Sequence, residues 1–120
     1  GLTGSWNAYQ AGRGVQLTSS KGNANWEKSD FTTAIKTVTI YASNNSSKGN
    51  GTATVSITDE SGTTTQLLCE SQTEAKITGC STKSTAFVFS VPANDLFGTV
   101  KINVKASVNS VYFEYVVINE

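Results

Sequence analysis

Hydrophobic and polar positions alternate with a period of two through much of this chain. Val100, Ile102, Val104 and Ala106 alternate with Lys101, Asn103 and Lys105, a spacing that turns one side of an extended strand to a core and the other to water. Ala53, Val55 and Ile57 alternate in the same way with Thr52, Thr54, Ser56 and Thr58, and Phe87, Phe89 and Val91 with Ala86, Val88 and Ser90. The run Ile35 to Ala42 is dense in the β-branched and aromatic residues that suit a pleated surface. With Gly14 to Thr18, Thr64 to Cys69, Lys76 to Cys80 and Val111 to Ile118, the pattern predicts about eight strands at sandwich spacing.

The breaks between these segments agree. Asn44 to Gly51 reads as a polar, hairpin-like link, and Asp59-Glu60-Ser61-Gly62 as a turn between adjacent antiparallel strands. Pro92 ends the Phe87 strand, and Ala93 to Gly98 is expected to form a single helical turn capped by Asn94. No segment holds a helical period. The predicted fold is therefore all-β, a two-sheet antiparallel β-sandwich with negligible helix, spanning residues 1–120 as one domain. In the last strand Val111, Phe113, Tyr115 and Val117 share one face by parity, with Tyr112, Val116 and Ile118 on the other around Glu114. Burial of both faces is the expectation, with a concave ligand face at Tyr112 and Glu114 as the alternative.

Composition narrows the function. A chain of 120 residues can bury roughly two-thirds of its unfolded surface, enough for one two-layer core. Nine basic and nine acidic residues give a formal net charge of zero, which removes the basic footprint of a nucleic-acid binder. There is no His, so Ser-His-Asp and Cys-His catalysis and the HExxH zinc motif cannot be built within this chain. Hydrolysis by carboxylates alone needs no His, but the acidic residues are scattered, mostly at predicted turns. No catalytic residues, cofactor or metal are expected. No apolar run approaches the roughly 18 residues of a membrane span, and the lack of Met suggests a mature product or an excised module. The Thr, Ser, Asn and Gly texture, with 15% charged residues, is that of an extracellular β protein.

Cys69 and Cys80 carry a further expectation. If the two segments that hold them pair antiparallel with these residues opposite each other, a disulfide would staple the hairpin and contribute about 3 kcal/mol. Two free thiols are the alternative. Asn44, Asn45 and Asn50 each begin an N-x-Ser/Thr sequon, which polar loops also produce by chance.

The aromatic residues supply the candidate site. Trp6, Tyr9 and Trp26 lie in a polar, Gly- and Asn-rich stretch with no strand pattern to direct them inward. Exposed rings can stack on the C–H face of a sugar while neighbouring polar groups bond its hydroxyls, and Asn7, Gln10, Arg13, Asn23 and Asn25 are such neighbours. The alternative is that Trp6 and Trp26 plug the ends or edges of the sandwich.

The order Gly14-Val15-Gln16-Leu17, Ala34 to Ile40 after Phe31, Thr52 to Ile57 and Val111-Tyr112-Phe113-Glu114-Tyr115 resembles the jelly-roll accessory domains of secreted Bacteroidetes proteins. These are similar to galactose-binding-like and carbohydrate-binding modules. The resemblance covers the chain from about Arg13 onward and includes no catalytic or metal motif. It implies a non-catalytic module, extracellular or at the cell surface, within a larger secreted protein. A polysaccharide or oligosaccharide held by the exposed aromatics is the expected partner, with a structural spacer or an adhesion or protein-interaction module that has no small-ligand site as the alternative.

Overall fold

The computed structural model describes residues 1–44, 49–80, 83–92 and 95–120, which form eleven strands in two antiparallel sheets. In chain order the strands are β1 (Leu2–Ser5), β2 (Ala8–Gln10), β3 (Gly14–Thr18), β4 (Asn23–Lys28), β5 (Thr37–Asn44) and β6 (Asn50–Thr58). There follow β7 (Thr64–Gln66), β8 (Glu74–Ile77), β9 (Thr85–Ser90), β10 (Thr99–Val108) and β11 (Ser110–Asn119). Sheet A has the order β1-β4-β10-β6-β7, with β8 also paired to β6, and sheet B the order β2-β3-β11-β5-β9. No described segment is helical. Leaving out β1 and β2 and counting β7 and β8 as one edge, the orders β4-β10-β6-β8 and β3-β11-β5-β9 are those of an eight-stranded jelly roll.

The alternating residues build the core as their period requires. Val100, Ile102 and Val104 of β10 stand opposite Ile57, Val55 and Ala53 of β6. Leu17, Val38, Ile40, Phe89, Val111 and Phe113 face them from sheet B, and all are buried. Full burial of each large side chain contributes on the order of 1.5 to 3 kcal/mol. The polar partners of these residues, among them Lys101 and Asn103, cover the outer face of sheet A.

Four expectations need correction. First, Cys69 and Cys80 are free thiols and not a disulfide. β7 and β8 do not pair with each other; both lie along β6, at Ser56–Thr58 and Gly51–Thr54 respectively. They are one edge strand interrupted between Leu67, whose N–H donates to Val55 O at 2.9 Å, and Glu74, which stands opposite Thr54. Between them the chain makes a tight turn. Glu70 and Ser71 have φ of 49° and 68°, and Cys69 and Gln72 exchange backbone hydrogen bonds of 2.8 and 3.0 Å across them. Two residues at positive φ are what a two-residue hairpin turn demands, so Cys69 is committed to that turn, away from Cys80.

Second, the Asn44 to Gly51 link is not a hairpin, because β5 and β6 belong to different sheets. Its residues 45–48, Asn45 included, lie outside the described residues. Third, Asp95 to Gly98 are not helical, and Ala93 and Asn94 lie outside the described residues. Fourth, the first thirty residues contain strands β1, β2 and β4, which their mostly polar sequences conceal.

The last strand departs from simple parity. Its register with β5 shifts between Phe113 and Tyr115, a β-bulge at Glu114. Val111 and Phe113 face the core, and beyond the bulge so do Val116 and Ile118, which pack against it. Tyr115 and Val117 are turned to the outer face, 47% and 40% exposed.

Candidate functional site

The two long sides of the sandwich are finished differently. On one side Leu68 and Ser90 exchange backbone hydrogen bonds of 2.9 and 2.7 Å, stitching the β6–β8 edge of sheet A to β9 of sheet B. On the other side the edges are β1 and β2, and between them the sheets gape. This cleft, of about 500 Å³, is lined by Leu2 and Trp26 from sheet A and by Tyr9, Val15, Phe113, Glu114, Tyr115 and Val116 from sheet B.

Local sequence explains the lining. In β4, Ala24 and Trp26 alternate with Asn23, Asn25 and Glu27, so Trp26 turns inward beside Leu2, its partner across β1, and Ile102 of β10. Trp26 is half-buried against the core, while Leu2 is 37% exposed at the sheet edge. In β2, Tyr9 stands opposite Val15, which in turn neighbours Phe113. At the outermost strand its ring has little to cover it and remains 71% exposed.

The residues singled out in the sequence are thus divided. Tyr9 and Trp26 share the cleft. Trp6 lies at the crossing from β1 to β2 and is half-buried against the core. Asn25 is on the opposite face of sheet A from Trp26, where its Oδ1 accepts a 2.9 Å hydrogen bond from Asn103 Nδ2; Asn23 Oδ1 accepts from the same nitrogen at 2.6 Å. Arg13, in the β2–β3 turn, stacks its guanidinium 3.7 Å from the centre of the Tyr112 ring and donates to Asn44 O at 3.2 Å. That stack buries Tyr112, which Gln16 Nε2 also meets at 3.2 Å. Asn7 Nδ2 donates to Gln16 Oε1 at 3.1 Å, and Gln10 is an exposed strand end.

Sequence reading missed Leu2, Val15, Phe113 and Val116 as lining residues, since strand patterns assign apolar side chains to the core and do not show where the core is left open. Glu114 lines the cleft at the bulge, but its carboxylate is turned away across β5, where it accepts a 2.6 Å hydrogen bond from Ser84 Oγ. Beside it, Tyr41 and Tyr115 stack on the outer face with ring centres 4.3 Å apart. Desolvation first, then the neighbouring Tyr41 and Glu114, hold the Tyr115 phenol above its ordinary pKa.

Asn44 is fully buried, and its amide donates to Gly49 O at 2.8 Å and accepts from Cys80 N at 2.6 Å. That placement makes it a structural clamp and an unsuitable glycan acceptor in the folded chain. Among the described residues no three His, Cys, Asp or Glu side chains come together as a metal site, and no helix is long and apolar enough to cross a membrane.

The class these features define is a jelly-roll sandwich, stitched along one side and open along the other. Comparison with protein-family models, with curated proteins and with solved structures finds no match for this chain.

Proposed function

We propose that this chain is a non-catalytic accessory module of a larger secreted protein, extracellular or at the cell surface, which engages a protein partner through the side cleft. The observation that carries this reading is the lining itself: Leu2, Val15, Trp26, Phe113 and Val116 make an apolar hollow, with Tyr9 and Tyr115 at its margin and the Glu114 carboxylate bonded to Ser84 across β5. Apolar side chains of a polypeptide gain by entering such a hollow. Sugar hydroxyls entering it must give up water for few partners, because Asn25 and Arg13 are engaged elsewhere.

Carbohydrate is the second reading, and Tyr9 favours it. A phenol ring 71% exposed, sharing a cleft with a Trp, offers a stacking surface for a pyranose. The two readings separate in one experiment. A displayed peptide library and a glycan panel are screened against the native chain, Leu2→Glu, which puts a charge into the rim of the hollow, and Tyr9→Ala. Peptide binding that falls at least tenfold in Leu2→Glu supports the first reading. Glycan binding lost in Tyr9→Ala, with no cleft-dependent peptide, would reverse the order. Binding indifferent to both substitutions would leave the cleft without a function and favour a spacer.

A further inference from the structure

One half of a central strand lacks a neighbour. β11 pairs with β5 from Val111 to Asn119 but with β3 only from Ser110 to Phe113. The β2–β3 hairpin stops at the pair Gln10 and Gly14, pressed so closely on the bulge that a Cβ added to Gly14 would lie 2.0 Å from Phe113 O. Beyond it, from Glu114 to Asn119, no described strand stands on the β3 side. Backbone N–H and C=O groups on such an edge point sideways in the sheet plane and are left to water. Inner strands also extend past a described neighbour elsewhere, β3 at Leu17 and Thr18 and β5 at Ser43. The stretch of β11 opens onto the apolar cleft.

Sheet A does not stop where sheet B does. Beyond β10 it continues into β4 and β1, with Trp26 and Leu2 lining the cleft opposite Phe113 and Val116. The vacant place beside β11 is therefore roofed. A folded second copy docking edge to edge would drive its own two layers into β4 and β1. A single extended chain fits, since a strand takes about 4.8 Å within a sheet and packed sheets stand about 10 Å apart.

We infer that the open half of β11 accepts one extended peptide strand from a partner protein, antiparallel to β11, with apolar side chains at alternate positions facing Trp26, Leu2 and Val116. The intervening positions lie on the outer face beside Tyr115 and Val117 and can be polar. Main-chain hydrogen bonds supply the affinity and the alternate apolar positions the selectivity, as in strand addition to other sheet edges. The inference rests on the protein-partner reading of the cleft.

The test uses the whole chain with a flexible Gly/Ser linker after Glu120, followed by Thr-Val-Thr-Val-Thr, so that the added strand can return along β11 at high effective concentration. A second extension carries Asp in place of each Val. Hydrogen exchange, the melting temperature and Trp fluorescence are recorded for both, and for the native chain with the free Thr-Val-Thr-Val-Thr peptide. Expected are exchange slowed at least tenfold at the amides of β11 that face the cleft beyond Glu114, a higher Tm and a blue shift of Trp emission. The Asp extension should do none of this. Unchanged exchange at those amides in the folded Val extension, or equal protection by the Asp extension, overturns the inference. Library peptides that bind the cleft without protecting those amides overturn the strand mode alone, and the protein-partner reading then stands. Cleft binding by glycans alone removes both.

Discussion

Single residues in this protein are constrained by what presses on them more than by their type. Gly14 has φ +93° and no room for a Cβ beside Phe113 O and Glu114 Cα, so Gly14→Ala should cost at least about 1 to 3 kcal/mol of stability, measured by urea unfolding. Asp59 illustrates an electrostatic constraint. Its Oδ1 accepts from Ser61 Oγ at 2.7 Å and from the N–H groups of Ser61 and Thr63 at 2.9 and 3.0 Å. These bonds favour the carboxylate and hold its pKa below the ordinary 3.8. A depressed folded value adds stability that is present above about pH 4 and lost as pH falls through the folded pKa. The native chain should therefore lose Tm more steeply than Asp59→Asn as pH drops from 4 toward 2. Thermal melts at a series of pH values check this, and parallel curves would count against it. Cys69 is buried, and desolvation with the nearby Glu70 pushes its thiol pKa up. Thiol titration without reductant should find two thiols in the denatured protein, with Cys69 the slower to react in the folded one.

Whole strands show where local patterning succeeds and where it gives out. β3 was legible to the residue, Gly14 to Thr18, because Val15 and Leu17 alternate with polar neighbours. β6 and β10 were legible for the same reason. The last strand was legible as a strand but not in its facing, because a bulge inserts a residue through pairing with β5 and no side chain announces it. The consequence can be measured: Val116→Thr should cost about 1 kcal/mol or more, while Val117→Thr should stay within about 0.5 kcal/mol of the native chain. The opposite order would restore the uninterrupted parity of Val111, Phe113, Tyr115 and Val117. Likewise Leu67, fully buried at the interruption between β7 and β8, should lose about 2 to 5 kcal/mol on truncation to Ala.

At the scale of the molecule, both sheets share one core, against which Trp6 and Trp26 are half-buried. Urea unfolding followed by Trp fluorescence and by far-UV circular dichroism should therefore give coincident transitions. An earlier fluorescence transition would mean that the β1, β2 and β4 region opens independently of the rest. The contrast between the Leu68–Ser90 stitch and the gap at β1 and β2 gives the domain a closed side and an open one. Its proposed binding role sits on the open side.

The all-β class, the antiparallel sandwich and most strands follow from the sequence alone, because the period of two is a property of a single extended segment and needs no partner to be read. The Asp59 turn follows for the same reason, its bonds closing within a few residues. Which strand lies beside which is decided only in three dimensions. Leu67 to Glu74 is an excursion from one edge, and not a cystine-stapled hairpin: β7 and β8 both pair with β6, and the turn at Glu70 and Ser71 ties Cys69 to Gln72. Tyr9 and Trp26 came together, and Asn25 and Arg13 went elsewhere, because adjacent residues on a strand point to opposite faces and β1, β2 and β4 carry too little apolar pattern to reveal those faces in advance. The cleft belongs wholly to the tertiary structure: it is a place where a strand is missing, and a vacancy between non-adjacent segments has no local sequence signal.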